Sequence, residues 1–261
     1  MSDNKVRGVV DLVILLDVTG SMQECIDAVK SSIATFVESL SMSDANNDIP
    51  IKDWRIKVVG YRDHQSNEST WLIDNPFVRD VSSLQSQLAL PSMQASGGGD
   101  EPESLLDALF SVSQMAESGH QDEESPAAWR PRGAAARAIV FFTDASFRTS
   151  MTIPEAVGGG IGDVLTALTG SKIILCGFCP EWDGYLELAT CDRAEIEFVV
   201  RVEESPALAG LGKPGDEGKA AMKAAVAALK AKSADGAAFT KVMAQLAKSL
   251  SKSVSAEALP C

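Results

Sequence analysis

DLVILLDVTGSMQE (residues 11–24) is the stretch that orders the rest of the chain. An apolar run stops on a carboxylate, Asp17, and two hydroxyls follow at alternate positions, Thr19 and Ser21. The run over residues 8–17 is rich in Val, Ile and Leu on both sides of the pleat, as expected for a strand covered on both faces of a parallel sheet. Immediately afterwards Cys25, Ile26, Val29, Ile33, Phe36, Val37 and Leu40 recur three and four residues apart, the spacing of an amphipathic helix. A strand that runs straight into a helix leaves its last residues at the carboxyl edge of the sheet, where open α/β sheets bind ligands. Alternate residues there can point the same way.

The same alternation continues. Residues 54–61 (WRIKVVGY) predict a strand; residues 71–78 predict another, placed at an edge or strand end by Pro76. A short helix is expected over 81–90. SGGGDEPES (96–104) opens a helix with Leu105, Leu106, Leu109, Phe110 and Val112 on its apolar side, and residues 118–133 form a polar loop. AIVFF (138–142) is a strand ending on Thr143 and Asp144; a helix follows over 161–168, then strands over 172–178 and 196–202. This pattern predicts an α/β fold: a Rossmann-like, doubly wound, mainly parallel central sheet with one antiparallel edge strand and helices on both faces.

A single domain spanning 1–261 is expected, with a core over 8–202. Residues 203–236, Pro/Gly/Glu-rich and then Ala/Lys-rich over 219–232, are expected as a surface insertion. Phe239, Val242, Met243, Leu246, Leu250 and Val254 predict a closing helix over 237–255.

The formal charge is −13, and residues 1–202 hold 15 Lys and Arg against 30 Asp and Glu, while 203–261 hold 8 against 6. A field of that sign disfavours nucleic acid and anionic lipid and favours cations. No apolar run reaches the roughly 20 residues of a membrane helix, and the first residues lack a secretory pattern. With five cysteines, an odd number, a disulfide framework is not expected. The expectation is a cytoplasmic protein without membrane or nucleic-acid partners.

Asp17, Thr19 and Ser21 offer hard oxygen atoms, suited to Mg²⁺ or Mn²⁺ rather than to zinc or copper. Three ligands do not fill an octahedron. Further candidates sit at other strand ends and helix starts, the acids of GGGDEPE (97–103) and Asp144. Each has a plainer reading: Thr19 and its neighbours as a helix N-cap, GGGD as a turn, Asp144 as an ordinary strand-end acid. Their coincidence at three such places favours a metal.

ILLDVTGSM resembles the first metal-site segment of von Willebrand factor A domains, Asp-x-Ser-x-Ser, with Thr19 in the first hydroxyl position. VVGYRDH (58–64), GGGDEPES (97–104) and FFTDA (141–145) fall in the family's order, and together they are similar to its intracellular and hemicentin-like branch. The resemblance covers residues 8–202 and takes in the closing helix. It implies a metal-ion-dependent adhesion site on top of the sheet, occupied by Mg²⁺ (or Mn²⁺ or Ca²⁺). Thr19 and Ser21 would bind the cation directly, and Asp17 and Asp144 directly or through water. The second loop departs from the family's usual threonine. Glu103 matches the glutamate of the integrin β-subunit version, Asp-Ser-Pro-Glu, while Asp100 could take the threonine's place instead. A protein partner would present an Asp or Glu carboxylate to the sixth position, near Gly97, Gly98, Gly99 and Asp144. The resemblance thus implies a cation-dependent protein-interaction module in an intracellular complex, not an enzyme.

Two rivals remain: an enzyme, either a metal-dependent hydrolase or a thiol oxidoreductase using Cys176 and Cys179, and a structural domain whose cation only braces loops. A hydrolase needs a positioned base, and the two histidines, His64 and His120, sit beside no elbow-like serine. CGFC (176–179) ends a strand rather than opening a helix, where a redox pair is expected. GGGIGD (158–163) lacks the Gly-Lys-Ser/Thr ending of a phosphate loop. The Arg62-Asp63 pair is expected to fix its loop by ion pairing.

Overall fold

The computed structural model describes residues 8–41, 51–66, 70–97, 102–119 and 124–256. Its centre is a six-stranded sheet built from β1 (Val9–Asp17), β2 (Asp53–Tyr61), β3 (Leu72–Asp74), β4 (Ala136–Phe142), β5 (Ile173–Cys179) and β6 (Ala194–Phe198). The order is β3-β2-β1-β4-β5-β6. All neighbours are parallel except β3, which runs antiparallel to β2 at the edge, Gly60 opposite Ile73. This is the doubly wound sheet the sequence predicts. Strand order reverses between β1 and β4, whose register sets Leu16 beside Phe142. The crevice of such a sheet opens beyond the carboxyl ends of those two strands.

Every residue of β1 is buried, which explains why its run is apolar on both sides of the pleat. Leu12, Ile14 and Leu16 join a core with α1 (Gln23–Ser41), α2 (Val81–Leu88), α6 (Asp216–Ala234) and α7 (Gly236–Ala256). Val13 and Leu15 join the opposite core, with α3 (Leu105–Ser113), α4 (Ile161–Gly170) and α5 (Asp183–Leu188). The helical periodicity of α1 buries Ile26, Val29, Ile33, Phe36 and Leu40 completely. Each such side chain contributes roughly 1.5–3 kcal/mol on leaving water.

Three segments differ in detail from the sequence reading. The last strand ends at Phe198, four residues early, because Val199 and Val200 turn into the first core. Helix α5 was not foreseen. Residues 203–236 contribute Leu208, Leu211, Ala221, Ala225 and Leu229 to the core between α6 and α1. Among the described residues no helix is long and apolar enough to cross a membrane.

Candidate metal centre

Both ends of β1 carry a buried aspartate, and their surroundings are opposite. At the amino end Asp11 accepts from Arg55 Nε at 3.0 Å and Nη2 at 2.5 Å, and from the Arg130 amide and Nε, both at 2.7 Å. At the carboxyl end Asp17 accepts, among the described residues, only from uncharged donors: the Thr19 amide at 2.9 Å, the Thr19 hydroxyl at 2.7 Å and the Thr143 hydroxyl at 2.8 Å. Among the described residues Asp17 makes no salt bridge. Burial pushes its carboxyl above the ordinary range, against which the Thr19 and Thr143 bonds and the Arg62 charge pull only in part.

Thr19 stands at the N-cap of the turn Gly20–Met22, yet its hydroxyl makes no capping bond. It donates to Asp17 instead, which leaves both oxygen lone pairs available. The plain capping role is therefore not the one its hydroxyl takes. Ser21, half-buried, lines with Thr19, Gly20, Gly97 and Glu103 the end of a cavity of about 840 Å³. The loop before Glu103 is laced to this turn by backbone bonds, from the Gly20 amide to the Gly97 carbonyl at 3.2 Å and from the Ser96 amide to the Val18 carbonyl at 3.0 Å.

Glu103 is 4% exposed, and its Oε2 has no hydrogen-bond partner among the described residues. Its backbone is stitched to the loop after β4: its amide donates to the Ser146 carbonyl at 3.0 Å, and its carbonyl accepts from the Arg148 amide at 2.9 Å. Burial pushes its carboxyl up to about 9, reinforced by the negative charges of Asp17, Asp63 and Asp144. Asp144 is fully buried in that same loop. Thr143 ties the loop to β1 through its bond to Asp17, and Tyr185 donates to the Ala145 carbonyl at 2.5 Å.

Asp63 and Arg62 pin the surrounding loops separately. Arg148 donates to Asp63 at 3.0 and 2.7 Å and, despite burial, holds its carboxyl below the usual range. Ser104 also donates to Asp63, at 3.1 Å. Arg62 donates to the carbonyls of Ser92, Gln94 and Ser96. Where the sequence suggests Arg62 and Asp63 as an ion pair, Asp63 takes Arg148, 85 residues away, and Arg62 takes backbone carbonyls. His64 Nδ1 lies 2.8 Å from the Thr152 hydroxyl.

The structure thus gathers Asp17, Thr19, Ser21 and Glu103 around one end of the sheet, with Asp144 close enough for its charge to act on Glu103. Gly98, Gly99, Asp100 and His120 lie outside the described residues. Thr143 and the Asp63–Arg148 clamp were not singled out by sequence, although FFTDA contained the first. Among the described residues no three His, Cys, Asp or Glu side chains group as a shared metal ion would require. A site here would depend on hydroxyl oxygens as well. The donor set fits a hard cation on that basis: buried carboxylates of Asp17 and Glu103, a threonine oxygen with lone pairs to spare, and, at Glu103 Oε2, a carboxylate atom without a donor among the described residues.

The cysteines stand apart. Cys25, Cys176, Cys179 and Cys191 are free, buried thiols. Burial and then the Glu195 charge push Cys176 up to about 12, and burial alone pushes Cys179 well above the ordinary range. Nucleophilic thiol chemistry needs a thiolate. These four thiols are expected to react with a disulfide reagent only on unfolding; rapid labelling of Cys179 in the native protein, read by mass spectrometry, would contradict that.

No protein-family model matches the chain, and no curated protein does. Among solved structures it is similar to proximal thread matrix protein 1 from the mussel byssus, at 12% identity and a TM-score of 0.44, over 73% of this chain and 44% of that one. It is also similar to the human COPII-coat protein Sec24c, at 10% identity and a TM-score of 0.45, over 78% of this chain and 31% of that one. The chain thus spans less than half the length of either, and at these identities neither likeness speaks to function.

Proposed function

We propose that this protein is a divalent-cation-dependent protein-interaction module of the von Willebrand factor A type, a single domain that acts in a cytoplasmic complex and is not an enzyme. The contrast along β1 carries this reading: one buried aspartate is neutralised by two arginines, while the other meets hydroxyls and further carboxylates. A cation such as Mg²⁺ is the counter-charge that would complete the second end.

Thr19, Ser21 and Glu103 would hold the ion, with Asp17 and Asp144 bound directly or through water. The bound ion would supply a Lewis-acidic position open to a carboxylate of a partner protein. Asp17 holds the Thr19 hydroxyl by accepting its hydrogen bond, the Glu103 backbone bonds to Ser146 and Arg148 hold the Glu103 and Asp144 loops in register, and the Asp63–Arg148 clamp ties the loop after β2 to them. The sheet order, with its reversal beside Asp17, supports a ligand at this edge. The acidic charge supports a cation-linked protein partner over nucleic acid or membrane.

Melting and capture test the reading together. Saturating Mg²⁺ is expected to raise the melting temperature of the wild type by about 5–10 °C, the effect of a ligand at about 100 times its Kd on a domain of this size. The Ser21→Ala variant should show little shift. Protein captured from lysate on the wild type in Mg²⁺ should elute with EDTA and be missing from the variant. No Mg²⁺ shift at any concentration up to about 10 mM, roughly tenfold above weak extracellular-type sites, would sink the proposal. A shift without EDTA-sensitive capture would leave the bracing-cation role.

A further inference from the structure

The 840 Å³ cavity has two walls of different chemistry. One is the candidate metal centre, with Thr19, Gly20, Ser21, Gly97 and Glu103. The other is a single face of α6: Lys219, Met222, Lys223, Val226, Ala227 and Lys230, spaced by three and four residues. The opposite face of that helix buries Ala221, Ala225 and Leu229 against the core, so the lysine face is turned to the cavity by packing. The turn before the helix is compact. A Cβ at Gly218 would stand 1.8 Å from the Lys213 carbonyl oxygen, and Lys213 itself lines the cavity.

Two of these cations already have carboxylates, Lys230 with Glu24 at 3.2 Å and Lys213 with Glu217 at 3.1 Å. Lys219 and Lys223 have no ion-pair partner among the described residues. In a chain of net charge −13, two unmatched lysines and half-buried Met222 and Val226 beside an acidic metal centre form a local surface of opposite sign. From Lys219 to Lys230 the helix runs about 16 Å at 1.5 Å per residue, the length of about five residues of extended chain.

We propose that this groove receives a short acidic segment of the partner protein, with one carboxylate at the cation site, a second on Lys219 and Lys223, and an apolar side chain on Met222 and Val226. The inference rests on the cation reading given above and adds the partner's chemistry to it. Residues 203–236 thereby become the specificity wall of the site. The bland alternative is that the lysines only balance the acidic edge, and the two make opposite predictions for charge reversal.

The probe is a fluorescein-labelled pentapeptide of alternating glutamate and leucine, with its glutamine counterpart as control, read by anisotropy in Mg²⁺. The variants are the doubly reversed Lys219→Glu/Lys223→Glu, both sites being exposed helix positions where substitution costs little stability, and Ser21→Ala. Wild type is expected to bind the acidic peptide and not the glutamine peptide. The double reversal should weaken binding about tenfold or more while keeping the Mg²⁺-induced rise in melting temperature. Equal affinity of wild type and double variant overturns the proposal, as does a wild type that never saturates with the peptide, or competition by free succinate at the peptide's own concentration. Loss of binding in the double variant with indifference to EDTA and to Ser21→Ala overturns the cation reading and leaves the lysine wall standing. Loss of the Mg²⁺ rise in the double variant would show that the lysines serve the cation site alone, and overturns the groove.

Discussion

Asp11→Ala is expected to lower the stability of the protein by about 3–5 kcal/mol, the cost of removing one partner from a buried charge network. Both guanidiniums it serves are 3% exposed, so neither can turn to water when the carboxylate is gone. Their remaining contacts do not replace it. Arg55 keeps the carbonyls of Ser125 and Ala128, both at 3.1 Å; Arg130 keeps Asp53 at 2.6 Å and the Val10 carbonyl at 2.9 Å. Urea unfolding would show the loss as a lower midpoint at an unchanged slope. A change below about 1 kcal/mol, typical of exposed pairs, would mean that the network is open to solvent. The contrasting substitution is Asp17→Asn, which keeps a hydrogen-bond acceptor for Thr19 and removes a buried charge that makes no salt bridge among the described residues. In EDTA it should be as stable as the wild type or more so, while losing the Mg²⁺ response that Asp11→Ala retains. Opposite signs at the two ends of one strand are the signature expected of a strand that is neutralised at one end and cation-dependent at the other.

In the amino-acid sequence these two aspartates differ in kind. Asp11 registers there only as an interruption of an apolar run, because its partners Arg55 and Arg130 lie 44 and 119 residues away. Asp17 is legible because its hydroxyl neighbours are two and four residues off and fall on a strand end. The sheet is legible for the same local reason: β1, β4 and β5 are mostly apolar on both faces, β2 alternates Arg55 and Lys57 with Ile56 and Val58, and Pro76 marks the weakness of the edge. Helix α5 is six residues long, too short to show a helical period. What holds it is aromatic packing of Tyr185 with Phe141, Phe147 and Trp182, visible only once distant strands are adjacent. Helix α6 hides its buried face in alanines, since Ala221 and Ala225 give little apolar contrast against Ala220 and Ala224, yet their small size lets the helix approach α1. Its lysines therefore read as solvated charge, and only the fold turns them toward the site.

Glu103 supplies the second large effect, in the pH dependence of the metal-free protein. Its carboxyl is ordinarily half-ionised near 4.5 and is pushed up to about 9 in the fold. The folded state thus holds a proton that the unfolded state has released across that window. Stability contributed by the protonated form is complete below pH 4.5 and declines as pH rises towards 9, with a slope of at most about 1.4 kcal/mol per pH unit. The general charge of −13 acts in the same direction, so Glu103→Gln is the control: it fixes a neutral side chain of the same shape and should flatten the decline. Mg²⁺ should reverse it, because a cation favours the ionised carboxylate and displaces its proton. The Mg²⁺-induced rise in melting temperature is therefore expected to be larger at pH 8.5 than at pH 6 in the wild type, and small at both in Glu103→Gln. Parallel pH profiles for wild type and Glu103→Gln in EDTA would mean that Glu103 is ionised in the metal-free fold. An equal Mg²⁺ response in the two proteins would remove Glu103 from the second loop's ligand position and move the search to Asp100.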